Sequence, residues 1–343
     1  MTNSGADSLY FPLSTSFSWC SWCLGGSISQ IEYSIFNLCF VCHFIKSAVA
    51  ICDKICAMQL LDGKLASLRI REQAATRVQT LKTQGITPGL GTILVGDDAA
   101  SAVYIGAKHR ACEEVGVRSF HAHLPATTTQ TELLAQIETF NNNPEVHSYI
   151  VQLPLPKGLD EEAALLAIDP RKDADGLHPV NLGKLVMGAP GPLPCTPAGI
   201  VELLAQNRVP VEGRHIVIVG RGLTVGRPLA LLLALKRPGC NAAVTVVHTG
   251  VADMGFYTRQ ADVLIVGAGA PNLIKPDMVR VGAAVVGAGI SRDADNKIVS
   301  DIDESVAEVA GWMTPRVGGV GPMTVAMLIQ QTVAAAERPL NTR

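Results

Sequence analysis

After Met58 the chain alternates short Val- and Ile-rich runs with stretches of helical period, a pattern that confines it to parallel sheets covered by helices. Leu65, Leu68, Ala75, Val78 and Leu81 recur near helical spacing and predict an amphipathic helix that Gly85 and Pro88 end. Leu90–Val95 reads as a buried strand, followed by a helix from near Ala100 to Gly116. A strand at Ser119–His123, a helix at Thr131–Asn141 and a strand at Tyr149–Leu153 continue the series. A second series begins after Thr196-Pro197 with a helix to Asn207, strand His215–Val219, helix Pro228–Leu235 and strand Val244–Val247. Asp262–Val266 and Ala283–Val286 supply further strands, and an apolar helix from Met323 to about Ala336 is expected to pack back on the first half. The expected fold is α/β with two domains: an N-terminal α/β domain of residues 58–197 plus 323–343, and a doubly wound, Rossmann-like domain of residues 198–322.

Length agrees, since 343 residues at ~150 per domain predict two domains. Hydrophobic residues make up 48% and charged residues 17%, which excludes a fibrous or globally disordered chain. With 28 Lys and Arg against 30 Asp and Glu, no broad positive field exists to hold nucleic acid or an anionic membrane, so a small-molecule partner is expected. Of nine cysteines only Cys112, Cys195 and Cys240 follow Met58, which points to a reducing, cytoplasmic compartment.

The other six cysteines precede Met58, and Cys20/Cys23 with Cys39/Cys42 have the spacing of two zinc knuckles. That segment has few charges, no helix or strand punctuation and no Gly directly after either pair. Its most apolar stretch, Ile35–Ile45, is too short for the ~20 residues a membrane span needs, and its first basic residue is Lys46. The preferred reading of residues 1–57 is an unstructured extension or an upstream start, with Met58 as the natural beginning. A zinc-dependent interaction module is the alternative.

Strand His215–Val219 runs directly into Gly220-Arg-Gly222-Leu-Thr224-Val-Gly226-Arg-Pro228 and then a helix. Glycines there permit a tight turn and let a pyrophosphate approach backbone N–H groups at the helix start. The spacing is G-x-G-x-x-x-G, so an ordinary βα turn is the competing reading. NAD sites place a carboxylate at the end of the next strand, yet Val244–Val247 ends in His248-Thr249-Gly250. With Arg221 inside the turn, NADP is favoured, Thr249 being a candidate phosphate or ribose contact and a solvated loop charge the alternative for Arg221.

In the first half, Tyr104 and Lys108 stand i, i+4 on one helix face. Desolvation lowers a lysine pKa and fits it for proton transfer, while an aromatic beside a snorkelling surface lysine is the alternative. Gln152 sits at the carboxyl end of a buried strand, where ligands collect in α/β sheets; it holds a substrate polar atom or caps the strand. Lys172-Asp173-Ala-Asp175-Gly176 offers two carboxylates, too few to argue a metal, and hydrogen bonding to a heterocycle is the other use. Cys195, in Pro194-Cys-Thr-Pro197, reads as a packed thiol.

Read together, these segments resemble the bifunctional methylenetetrahydrofolate dehydrogenase/methenyltetrahydrofolate cyclohydrolase family. The resemblance rests on Asp62-Gly-Lys64, Ser101-x-x-Tyr104-x-x-x-Lys108, Val151-Gln-Leu-Pro-Leu-Pro156, Lys172–Gly176, Pro194–Pro197, the Gly220 turn and Gly318-Gly-Val-Gly-Pro-Met-Thr324, in the family's order. It implies NADP-dependent oxidation of 5,10-methylenetetrahydrofolate, hydrolysis of the product to 10-formyltetrahydrofolate, and a homodimer. It further implies Lys108 as the proton-transfer residue, Tyr104 stacking on or orienting the folate, Gln152 tuning Lys108, and Asp175 binding the pterin. Leu153, Gly319 and Pro322 are implied at the folate, and Gly220, Arg221, Gly222, Thr224, Gly226, His248, Thr249, Gly289 and Ile290 at NADP; no metal is expected. The chain departs from the family pattern at Gly222, where Ser is common, at Gly287, where an aspartate is usual, and at Arg316-Val317, where Val-Pro is usual. A hydrolase-only relative is the alternative enzyme reading.

Overall fold

The structure, a computed structural model, describes residues 58–292 and 298–338. The paired cysteines before Met58, and with them both readings of residues 1–57, lie outside the described residues.

β1 (Gln59–Leu60) leads into α1 (Gly63–Thr83), whose cap Asp62 accepts a hydrogen bond at 3.0 Å from the Leu65 N–H. The helix buries Ala66, Ile70, Ala74, Val78 and Leu81, whereas Leu65 and Leu68, expected in the core, are 53% and 43% exposed. The discrepancy is one of phase. Two alanines continue an i+4 ladder with Ile70 and Val78, and small side chains on that face admit the last helix of the chain close to α1.

β2 (Gly89–Val95), α2 (Ala99–Val115), β3 (Arg118–Leu124), α3 (Gln130–Asn142) and β4 (Ser148–Val151) build a three-stranded parallel sheet in the order β3-β2-β4. β2 is central and buried along its whole length, so its sequence is apolar without alternation. Leu133, Ile137 and Phe140 of α3 cover one face, and Val78, Leu81, Ala111 and Cys112 cover the other. α4 (Glu161–Ala167), α5 (Pro179–Met187) and α6 (Cys195–Gln206) lead to the second sheet.

There, β5 (His215–Val219), α7 (Gly226–Ala234), β6 (Ala243–Val247), α8 (Met254–Thr258), β7 (Val263–Val266) and β8 (Ala284–Gly287) form the doubly wound part. An antiparallel hairpin of β9 (Ile290–Arg292) and β10 (Ile298–Ser300) follows, then β11 (Trp312–Met313) and α9 (Val320–Ala336). The six-stranded sheet is parallel throughout, in the order β1-β11-β8-β7-β5-β6. Residues 59–60 were expected with the first domain but stand at the edge of this second sheet, where Trp312 Nε1 donates to Gln59 Oε1 at 3.1 Å. Two-residue strands carry no periodicity, so neither β1 nor β11 shows in the sequence.

α9 does pack on the first sheet, through Val325, Leu328, Ile329 and Val333, and Ser148 Oγ donates to Thr332 Oγ1 at 2.8 Å. Its first turns do something the sequence reading did not anticipate: Val320, Met323 and Ala326 enter the core beneath β5, β7 and β8. The starts of α1 and α9 meet backbone to backbone, and a Cβ built on Gly63 would lie 1.7 Å from the Gly319 carbonyl oxygen. Because a carbonyl cannot rotate aside as a side chain would, Gly63→Ala is expected to cost about 2–3 kcal/mol. Urea unfolding of wild type and variant measures it; an unchanged midpoint would refute the close approach.

Candidate active site

In both sheets the chain order reverses beside one strand, β2 in the first and β5 in the second, and ligands of such sheets bind outside the carboxyl ends of the strands at those points. The candidate residues cluster at the same ends.

In the first sheet, β4 stops at Val151, and the Gln152 N–H continues the ladder to the Ile93 carbonyl at 2.9 Å. This fixes the Gln152 side chain at the strand's end. Its Nε2 donates to the Leu153 carbonyl at 2.7 Å, which turns Oε1 toward α2, where Lys108 Nζ donates to it at 2.9 Å. Lys108 is only 8% exposed. Burial lowers its pKa, and the nearby carboxylate of Asp175 partly opposes the fall. Burial likewise raises the carboxyl of Asp175, against the pull of Lys108. Tyr104, one turn before Lys108 on α2, is 38% exposed, and burial of part of its ring raises the phenol's pKa.

The loop that carries Asp175 is shaped by its neighbours, and Asp173, expected as a second carboxylate for a metal or a heterocycle, serves that loop instead. The Asp173 carboxylate accepts from the N–H groups of Gly176 (2.9 Å) and His178 (2.8 Å) and from Asn181 Nδ2 (2.9 Å). It is thus spent on shaping its own loop. Lys172 Nζ donates to the carbonyls of Phe140 and Asn143 at the end of α3, at 3.1 and 2.7 Å. On the far side, Gln331 of α9 ties the strands of the loop together: Oε1 accepts from the Leu193 N–H, and Nε2 donates to the Ala174 and Leu193 carbonyls. Cys195 is buried, donates to the Ala174 carbonyl at 3.2 Å and has a pKa raised by burial, as a packed thiol should. Gln331 leaves no trace in the sequence because two adjacent amides in an apolar helix form no motif. Gly319, the N-cap of α9, is buried against Gly63, and Pro322 is half-buried in the first turn of α9.

In the second sheet, Gly220 has φ +118, and a Cβ there would meet the Gly267 carbonyl oxygen at 2.3 Å. A Cβ on Gly226 would lie 2.1 Å from the Gly220 carbonyl oxygen, while one on Gly222 would meet nothing within 4 Å. The turn is therefore closed on the protein side and open beside Gly222. Val225 gives α7 no side-chain cap; in its first turn the Arg227 N–H is taken by the Gly222 carbonyl at 3.2 Å and Pro228 has none, so the Gly226 N–H is the helical donor left to face an anion. These features fit a dinucleotide pyrophosphate. Arg221, Gly222 and Thr224 are exposed. A residue missed from the sequence joins them: Arg227 Nε donates to the Arg221 carbonyl at 2.9 Å, bringing a second guanidinium to the turn. At the end of neighbouring β6, His248 Nδ1 accepts from the Gly250 N–H at 3.0 Å and Thr249 is exposed. Gly289 and Ile290 follow β8, with the Gly289 N–H on the Val266 carbonyl at 3.1 Å.

Comparison with known proteins matches both halves. Residues 61–175 match the family model for the tetrahydrofolate dehydrogenase/cyclohydrolase catalytic domain, and residues 194–340 match that for its NAD(P)-binding domain. A bifunctional protein FolD of Syntrophotalea carbinolica is 56% identical over 279 residues, 81% of this chain and 96% of that protein. Among solved structures, the bifunctional FolD methylenetetrahydrofolate dehydrogenase/cyclohydrolase of Campylobacter jejuni is 46% identical with a TM-score of 0.79, covering 82% of this chain and 99% of its own. The Trypanosoma brucei methylenetetrahydrofolate dehydrogenase-cyclohydrolase, solved with NADP cofactor and an inhibitor, is 35% identical with a TM-score of 0.78, covering 83% and 99%.

Proposed function

We propose how these residues divide the chemistry, from the premise that the chain belongs to the tetrahydrofolate dehydrogenase/cyclohydrolase family. It is a bifunctional enzyme that uses NADP to oxidise 5,10-methylenetetrahydrofolate to the methenyl compound and hydrolyses that to 10-formyltetrahydrofolate. The observation that carries the division of roles is the buried 2.9 Å hydrogen bond from Lys108 to Gln152, beside Asp175.

NADP+, when bound, supplies the acceptor for the hydride that leaves the folate methylene carbon. The turn Gly220–Gly226 would hold its pyrophosphate, with Thr224, His248 and Thr249 available to the ribose end, and Gly289 and Ile290 to the nicotinamide. The part of the protein is to orient the folate, with Tyr104 against the ring system, Asp175 on the pterin donors, and Leu153, Gly319 and Pro322 lining the pocket. In the second step water adds to the methenyl carbon, and Lys108, whose burial favours the neutral amine, takes the water's proton. The bond from that carbon to N5 then breaks, N5 accepts a proton from Lys108, and the hydroxyl proton leaves as the formyl group forms. One proton is released overall. Gln152 keeps the ammonium aimed at the carbon through the two transfers. The same reading gives residues 58–197 with 323–343 to folate and 198–322 to NADP, apart from β1.

The test is spectrophotometric: the purified chain should form NADPH on mixing NADP+ with methylenetetrahydrofolate and should discharge the methenyl compound without NADP. Failure of either arm removes the corresponding half. For the cofactor, Arg221→Ala is expected to weaken NADP+ binding by about 1.5–3 kcal/mol, the worth of a charge-assisted contact to the 2′-phosphate, with NAD+ scarcely affected. Titration of both dinucleotides checks this, and equal weakening would refute the phosphate role.

Among the described residues no helix is long and apolar enough to cross a membrane. A cytoplasmic site is supported by three buried, unpaired thiols, Cys112, Cys195 and Cys240. The homodimer rests on the family resemblance, and sedimentation equilibrium decides it.

A further inference from the structure

The carboxylate that the family pattern places at position 287 is absent, yet a carboxylate stands beside the same loops. Asp301, directly after β10, is 0% exposed, and its Oδ2 accepts from the N–H groups of Ala268 at 2.7 Å and Gly269 at 2.9 Å. These two belong to the turn that follows β7. Its Oδ1 is buried with no hydrogen-bond partner among the described residues. A buried carboxylate left half-satisfied is costly, and a merely structural role would be served by any residue that spared the cost.

The turn so held is a junction. The Gly267 N–H bonds to the Val219 carbonyl at 2.8 Å, and the Gly267 carbonyl lies against Gly220, the first residue of the phosphate turn. Val266, just before it, accepts from both Ala288 and Gly289 at the end of β8. Gly289 in turn leaves room for the carboxylate, since a Cβ on it would lie 2.0 Å from Asp301 Oδ2. Three loops at the carboxyl ends of β5, β7 and β8 thus meet at one backbone turn, and a carboxylate pins the middle of it. The adenosine half of a dinucleotide lies toward β6 in the order β8-β7-β5-β6, so the pinned turn lies on the nicotinamide side.

We propose that Asp301 is a positioning residue for the dehydrogenase half of the reaction: by holding Ala268 and Gly269 it sets the wall against which the nicotinamide rests. The proposal relies on the NADP-dependent dehydrogenase reading above. Without the carboxylate the two N–H groups lose their acceptor, the turn shifts, and the nicotinamide carbon moves relative to the folate. The hydrolysis, which runs without the dinucleotide, is untouched.

The experiment measures both activities and two affinities in the full chain for wild type and Asp301→Ala, because asparagine would keep an amide oxygen able to accept from the same two N–H groups. Dehydrogenase kcat should fall ~100-fold, the loss expected when a distant change misplaces reacting groups. Hydrolysis assayed without NADP should stay within about twofold, and so should the affinity for adenosine 2′,5′-bisphosphate, which probes the other half of the site alone. Gly289→Ala, which pushes the same carboxylate from the opposite side, should give the same pattern. If both activities fall together, if binding of the bisphosphate is lost as well, or if neither variant slows the dehydrogenase, the proposal is overturned. A wild-type chain with no NADP-dependent dehydrogenase would instead overturn the reading on which it relies.

Discussion

Lys108→Met is expected to slow hydrolysis of methenyltetrahydrofolate ~10³-fold, within the range lost when a positioned proton-transfer group is removed, while NADP+ affinity stays within about twofold. The same substitution should leave the protein no less stable near neutral pH. Lys108 is buried, its pKa in the folded chain lies below the ordinary 10.5, and the unfolded chain therefore binds more protons wherever pH falls between the two values. Stability rises with pH across that window, so the lysine is a penalty fully present below its folded pKa and gone above 10.5. Methionine of similar length removes the penalty, and Gln152, half-buried, can return its Oε1 to water. Thermal melts at neutral and alkaline pH should show the variant's advantage shrinking as pH rises. A hydrolysis rate equal to wild type would remove Lys108 from the mechanism; a variant whose relative stability improved toward high pH would contradict the lowered pKa.

How much of this was legible in the sequence depended on whether the information was local. Strand His215–Val219 is found where expected to the residue, because four apolar residues between the polar His215 and Gly220 admit no other register. α1 was placed but rotated, since counting leucines overlooks alanines that lie on the close-packed face. Lys108 and Gln152 were both singled out, but their hydrogen bond spans 44 positions and joins a helix to a strand end, and only tertiary structure brings them to 2.9 Å. Asp301 and Gln331 could not be found at all: each works by gripping backbone groups far away in the chain, and backbone groups leave no signature in side-chain identity. The glycines show the converse. Gly63 and Gly319 stood in separate motifs, and their contact explains why neither position carries a side chain.

Gly226→Ala is expected to raise the NADP+ dissociation constant ~100-fold and to abolish most dehydrogenase activity at ordinary cofactor concentrations, with hydrolysis preserved. A Cβ at this position would sit 2.1 Å from the Gly220 carbonyl oxygen, 2.7 Å from its carbon and 2.9 Å from Arg221 Cα. All three are backbone atoms, so no rotamer change relieves the collision. Gly220 cannot retreat either, because it is wedged against the Gly267 carbonyl, is bonded from its N–H to Val247 at 2.8 Å, and has a φ of +118 that few other backbones would replace. The strain must then open the turn outward, toward the side where Gly222 has nothing within 4 Å, which is where a pyrophosphate would lie. Lys108 on α2, Gln152 at the end of β4 and Asp175 in its loop all belong with the first sheet, so hydrolysis serves as the internal measure of folding. Gly183→Ala, on α5 with open space around it, controls for adding a methyl group elsewhere. Calorimetric titration of NADP+ decides the matter: unchanged affinity in Gly226→Ala would mean that the turn does not carry the dinucleotide, and the assignment of the second sheet would have to be abandoned.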